Sequence, residues 1–305
     1  MFSRILLPLD GSSDWESLVP HLRALSSGTD SEILVLEAVP FTETLLEMTQ
    51  ALSDPGFAPG GDTDLAERYV AAVAALLRDE GLRVRELVQI GSPTATIAGV
   101  ARRQKATLIA LAVRERRGFP QSLFRTLAEN VLRASPTPIY AIPAATTEPG
   151  VQPPRFSGDI LIPVDGSGLS LHAIPPALEF ARGWAGKLIF VHVESRGSVD
   201  KARQVLDAAL RRSEQEGLRA ETIMKQGDPA EEILKLCAEL RPSLIAMRTR
   251  LSLNDANGPL GSVTVKVLRA APAPMLIVRK PPRPETKAAF PGAPSTEGKP
   301  VRARK

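Results

Sequence analysis

Two stretches of the chain carry residues whose types and spacing could hold a ligand. Ile160-Leu161-Ile162-Pro163-Val164-Asp165-Gly166-Ser167 is an apolar run ending in an acid and a Gly-Ser pair, and nearly the same words occur earlier as Ile5-Leu6-Leu7-Pro8-Leu9-Asp10-Gly11-Ser12. An acid placed where a buried strand turns into a helix can contact a bound polar group, or accept backbone N–H bonds inside its own turn. Downstream of the second copy stand Met247, Arg248 and Arg250, then Gly261-Ser262-Val263-Thr264 at the start of a helical pattern. Glycine lets a backbone approach an anion closely, and N–H groups at a helix N-terminus point toward it. The chemistry on offer is anion binding. No general base stands beside a nucleophile, so catalysis is not expected.

Other reactive side chains offer less. Cys237 is the only cysteine, which excludes an intramolecular disulfide and a multi-cysteine metal site. Its place in Ile233-Leu234-Lys235-Leu236-Cys237 reads as a buried structural thiol. His21, His172 and His192 are scattered without metal-ligand spacing, and Trp15 and Trp184 read as packing residues.

Elements must position the two turns, and composition bounds what they can be. At 305 residues, 43% apolar and 24% charged, the chain has room for two domains, each burying its own core. The formal charge of +4 belongs to residues 281–305, which hold six Lys/Arg against two acids and leave the remainder balanced at 32 against 32. A neutral body argues against a nucleic-acid surface, and that Pro-rich basic tail reads as disordered. No apolar run is long enough to span a bilayer, so a cytoplasmic protein without membrane attachment is expected.

Apolar runs at residues 5–9, 33–39, 84–90, 107–113 and 138–142 read as strands, alternating with helices at about 15–26, 63–80, 93–103 and from 122 to 133. Ser13 or Asp14 is placed to cap the first helix. The order repeats with strands at 160–164, 188–193, 220–225, 244–247 and 275–278 and helices at about 171–184, 199–216, from 229 onward, and 262–269. Asp228 is an N-cap candidate, with Glu231 as its capping-box partner, and Gly81 and Gly217 are placed to end helices. Near-continuous apolar strands separated by helices mean parallel sheets with right-handed crossovers. The expected organisation is an α/β domain over 1–143 with an irregular insertion at 40–61, a linker at 144–158, a second α/β domain over 159–280, and the tail. In such sheets ligands sit beyond the carboxyl ends of strands, where strand order reverses, which is where Asp10 and Asp165 fall.

Both halves resemble universal stress protein domains. The matching phrases are residues 160–167, Leu188-Ile189-Phe190-Val191-His192-Val193, and Gly261-Ser262-Val263-Thr264 followed by Val267-Leu268-Arg269 and Pro272-Ala273-Pro274-Met275-Leu276-Ile277-Val278. The first half answers with residues 127–133 and Pro136-Thr137-Pro138-Ile139-Tyr140-Ala141-Ile142. The resemblance implies a Rossmann-like sheet in each half with strand order 3-2-1-4-5, and association of the halves through their fifth strands as a pseudo-dimer, with room for a further homodimer.

It also implies a site. Family members that bind ATP use the first-strand acid, a second-strand valine beside adenine, and Gly-x2-Gly-x9-Gly-Ser/Thr around the phosphates. The first half has Ala112, Glu115, Arg125 and Thr126 at those four loop positions. Every glycine is gone and Glu115 repels phosphate, so no triphosphate is expected there; Arg114, Arg116 and Arg117 read as a solvated basic loop. The second half has Arg248, Leu251, Gly261 and Ser262. Its implied nucleotide contacts are Pro163, Asp165, Val193, Met247, Arg248, Arg250, Gly261, Ser262, Val263 and Thr264. Either Arg248 and Arg250 pair with phosphates, or Arg248 and Leu251 fill the groove. The expected function is a non-catalytic stress-response protein with a degenerate ATP site in the second half, against an interaction scaffold without ligand and, third, a weak ATPase.

Overall fold

The computed structural model describes residues 2–40, 61–113, 127–143, 158–166, 173–183, 186–194, 199–249 and 261–279. The insertion beyond residue 40, the linker, Trp184, the loop carrying Arg114 to Thr126, Arg250, Leu251 and the tail lie outside them.

The first half runs β1 (Arg4–Leu9), a 3₁₀ helix (Asp14–Leu18), α1 (Val19–Ser26), β2 (Glu32–Val39), α2 (Gly61–Asp79), β3 (Arg83–Ile90), α3 (Pro93–Arg103), β4 (Leu108–Val113), α4 (Leu127–Ala134) and β5 (Ile139–Pro143). The second runs β6 (Ile160–Val164), α5 (Ile174–Gly183), β7 (Leu188–Glu194), α6 (Val199–Gln215), β8 (Ala220–Gln226), α7 (Pro229–Leu240), β9 (Leu244–Arg248), α8 (Ser262–Ala270) and β10 (Met275–Val278). All ten strands form one sheet in the order β3-β2-β1-β4-β5-β10-β9-β6-β7-β8. Within each half every strand pairing is parallel, in the expected 3-2-1-4-5 order. The halves meet in one antiparallel pair, with Met275, Leu276 and Ile277 of β10 against Ala141, Tyr140 and Ile139 of β5.

Alternation along each strand divides the core by face rather than by half. The first face holds Ile5 and Leu7 of β1, Ile162 and Val164 of β6 and Leu276 of β10, covered by α1, α2, α5 and α6. The second holds Leu6, Val191, Val193, Ile245, Met247 and Ile277, covered by α3, α4, α7 and α8. Each layer crosses the junction, so the expected pair of separate cores is instead two shared ones. Strands apolar on both faces follow from this coverage.

The duplication extends to backbone conformation. Gly11 and Gly166 both take φ near +75° (+75° and +74°), Gly81 and Gly217 end helices at +81° and +70°, and Lys105 and Arg241 repeat a left-handed turn at +53° and +48°. The N-terminal turn departs from expectation. Pro20 lacks the N–H that would continue a helix from Trp15, so a 3₁₀ turn comes first and α1 begins at Val19. Ser13 makes no capping bond; the Ser12 hydroxyl accepts from Asp14 N at 3.2 Å instead. Asp228 does cap α7, accepting from Ala230 N and Glu231 N, while Glu232, not Glu231, packs against Gly227.

Two contacts lock the junction. On the first face Tyr140 of β5 shares a 2.6 Å hydrogen bond with His21 Nδ1 and stacks on Phe180 of α5, ring centroids 5.6 Å apart. On the second, Arg269 of α8 donates to Glu129 of α4 at 2.9 Å, and Glu129 is 3% exposed.

Burial holds His21 near pKa 3 against an ordinary 6.5. Below pH 6.5 the unfolded chain takes up a proton that the folded chain refuses, so stability falls as pH drops toward 3, at up to about 1.4 kcal/mol per pH unit from this group. Urea unfolding of wild type and His21→Gln between pH 7 and 4 is expected to show that slope reduced in the variant. Replacing Arg269 by Leu strands the Glu129 carboxylate in the interior and is expected to cost about 3 kcal/mol in the same assay at pH 7.

Candidate functional site

The carboxyl ends of β1 and β4, and of β6 and β9, are the points where strand order reverses in each half. At the first of them Asp10 is spent on its own turn. Its Oδ1 accepts from Ser12 N at 3.1 Å and Ser12 Oγ at 2.6 Å. The Tyr69 hydroxyl donates to Ser12 O at 2.7 Å and ties α2 to the same turn. Burial raises the Tyr69 phenol, with Glu37, Asp10 and Glu16 adding to the rise and its bond to Trp15 opposing it. The side of this turn facing α2 is therefore acidic. Ala112 closes the list of first-half loop positions that fall within the described residues.

In the second half the implied contacts divide between the two faces of the sheet. Val193 (9% exposed) and Met247 (4%) belong to the second-face core. By strand alternation Pro163 and Asp165 fall on that face too, with Asp165 exposed at the start of the turn. The helix opening here is α8, whose N-cap is Gly261 and whose first residues are Ser262, Val263 and a buried Thr264. Among the described residues no side chain caps it, its N-cap being glycine, and N–H groups at such a helix start can serve an anion.

Arg248 is different. It follows Met247 in β9 and pairs in register with Val278, a first-face core residue. Its side chain therefore leaves on the opposite face from Val193 and Met247. Of the ten implied contacts, eight share the second face or the turn above it, Arg248 does not, and Arg250 lies outside the described residues.

The sequence reading passed over His192. It pairs with Val164 in register, and its Nδ1 lies 3.0 Å from Val164 O. A Cβ on Gly166 would come within 3.4 Å of its ring, so it packs directly beneath the second turn. Glu37 holds the matching place in the first half, opposite Leu9. The duplicated register thus sets a carboxylate under one turn and an imidazole under the other, a signal present in the sequence once the halves are superposed. Cys237 is fully buried with its thiol pushed up to about 12, in keeping with a structural role. No group of three or more His, Cys, Asp or Glu among the described residues is arranged to hold a metal.

These features define a duplicated Rossmann-like α/β protein with a strand-order switch point in each half. The model of the Universal stress protein family matches residues 1–143 and 158–279, and the chain belongs to that family as a tandem member. Universal stress protein YxiE of Bacillus subtilis is 31% identical over 144 residues, 39% of this chain and 97% of that protein. A universal stress protein of Methanocaldococcus jannaschii is 29% identical over 139 residues, 40% of this chain and 82% of that protein. Across both halves, the solved structure of a universal stress protein from Archaeoglobus fulgidus superposes with a TM-score of 0.72, covering 91% of this chain and 96% of that one at 21% identity. A second, from Pseudomonas aeruginosa, gives 0.64 over 91% and 93% at 17% identity; both likenesses speak to fold. No described helix is long and apolar enough to cross a membrane.

Proposed function

We propose that the chain is a non-catalytic, cytoplasmic stress-response protein that binds an adenine nucleotide, ATP in the first instance, in its second half and none in its first. The observation that carries this reading is the contrast at the two helix starts facing the second face. In the second half α8 opens with Gly261-Ser262 on the face of the sheet that carries Val193 and Met247, the face on which strand alternation also puts Asp165. In the first half the opening turn of α4 carries Glu129, a carboxylate held by Arg269, where α8 has Val265. Among the described residues near this helix start no base stands beside a nucleophile, so on this reading the nucleotide is held and not turned over.

A second reading has its own support. Leu65 and Leu76 of α2 are 66% and 55% exposed, and large apolar residues displayed on one helix suit a protein partner, which would make the chain a scaffold independent of nucleotide.

Thermal unfolding with ATP separates the two. At a hundredfold excess over its dissociation constant a ligand stabilises by about 2.7 kcal/mol, a rise of several degrees for a chain of this size. The expected result is a rise in wild type and in Asp10→Ala that is lost in Asp165→Ala and Gly261→Arg. Equal rises in all four would move the site elsewhere. No rise in wild type would leave the scaffold reading.

A further inference from the structure

The second half has lost two glycines whose backbone N–H groups would surround phosphates, yet the ends of β9 and β10 gather other donors beside α8. Register continues past Arg248 and Val278, with Thr249 N bonded to Val278 O at 3.0 Å. Thr249 and Arg279 are therefore cross-strand neighbours on the second face, the face of Met247 and Ile277. Thr249 is 0% exposed, and among the described residues its hydroxyl has no hydrogen-bond partner. The Nε of Arg279 is likewise buried without one, while its Nη1 donates to the Arg133 carbonyl at the end of α4. Native interiors rarely leave such donors unused, because the desolvation is then uncompensated.

Topology brings the start of α8 to this place. The helix runs back along β10, so its first turn returns to the strand ends that carry Thr249 and Arg279. Because β5 and β10 are antiparallel, α4 and α8 lie antiparallel across the junction, and Glu129 meets Arg269 there. The two-fold relation sets Arg133 against Val265, in the first turn of α8. Where the first half has a carboxylate in the opening turn of its helix, the second has Val265. The residues matching Thr249 and Arg279 in the first half are Val113 and Pro143, which donate nothing.

We propose that Thr249, Arg279 and Arg133 form an anion subsite beside the α8 N-terminus that holds the terminal phosphates of the bound nucleotide, with Arg133 supplied by the other half. The inference rests on the nucleotide reading of the second half and says which side chains take over from the missing glycines. Guanidinium groups suit this task, since each can present paired N–H donors to phosphate oxygens. Burial disfavours the charge on Arg279, and an arriving phosphate relieves that cost. The ligand chemistry is a linear di- or triphosphate, and adenosine alone leaves the subsite unfilled.

The test is calorimetric titration of the full chain with ATP, adenosine and inorganic tripolyphosphate. Arg279→Gln and Arg133→Gln are expected to weaken ATP and tripolyphosphate tenfold or more, and Thr249→Val severalfold, with adenosine unchanged within twofold. Arg211→Gln, a charge-matched change on the exposed side of α6, should leave all three alone. Since Arg279 also holds the end of α4, Arg279→Lys keeps the charge and loses the fork; weakened ATP binding with an unchanged melting temperature in that variant supports the subsite. If wild type binds ATP and the variants bind it equally well, the subsite is wrong and the nucleotide reading stands. If tripolyphosphate binds through these residues and ATP binds no tighter, the subsite stands and the adenine reading falls. If wild type binds neither, both fall.

Discussion

Three residue pairs between antiparallel strands, Met275 with Ala141, Leu276 with Tyr140 and Ile277 with Ile139, hold the two halves in one sheet. Each parallel sheet would otherwise end in an open row of backbone N–H and C=O groups, an edge that invites foreign strands. Joining the fifth strands covers both inner edges and leaves β3 and β8 at the outside. The same pairing fixes the two-fold relation between helices, and so decides that α4 and α8 lie alongside each other with their starts at opposite ends. His21, Tyr140 and Phe180 on one face, and Glu129 with Arg269 on the other, follow from that arrangement. The start of α4 inherits it too, since Arg269 of the opposite half reaches it.

Much of the fold was legible in the sequence because duplication repeats evidence. The strand phrases at 5–9 and 160–164, and the glycines at 81 and 217, each appear twice in the same order, and the structure gives both copies the same backbone. What stayed hidden depended on pairing and direction. That Arg248 leaves on the opposite face from Met247 is a matter of strand alternation, and reading it as a contact ignored that one-residue step. The 3₁₀ turn before Pro20 turned on a missing N–H whose effect on the preceding turn no periodicity records. Shared cores were invisible because the antiparallel junction is set by packing between halves, whereas periodicity reports only which residues of one half are buried.

The residues of the candidate site were legible by type, and their placement was legible only through the strand order. Gly261-Ser262 and Asp165 were singled out by type, and their shared face is what the strand order requires. Glu37 and His192 escaped because each looks ordinary alone; only their equivalent register shows an acid exchanged for an imidazole beneath matching turns. Glu129 and Val265 form a second exchange of this kind. Both exchanges remove negative charge from the second half relative to the first, one beneath the turn on the first face and one at the helix start on the second.

Carrying both halves on one polypeptide has a consequence for that asymmetry. In a dimer of identical chains every substitution falls twice, and Glu129 facing Arg269 at one helix start would be matched by the same pair at the other. Here the junction forms at one-to-one stoichiometry whatever the protein concentration, and each position is counted once. Each half is therefore free to change at positions where the other does not.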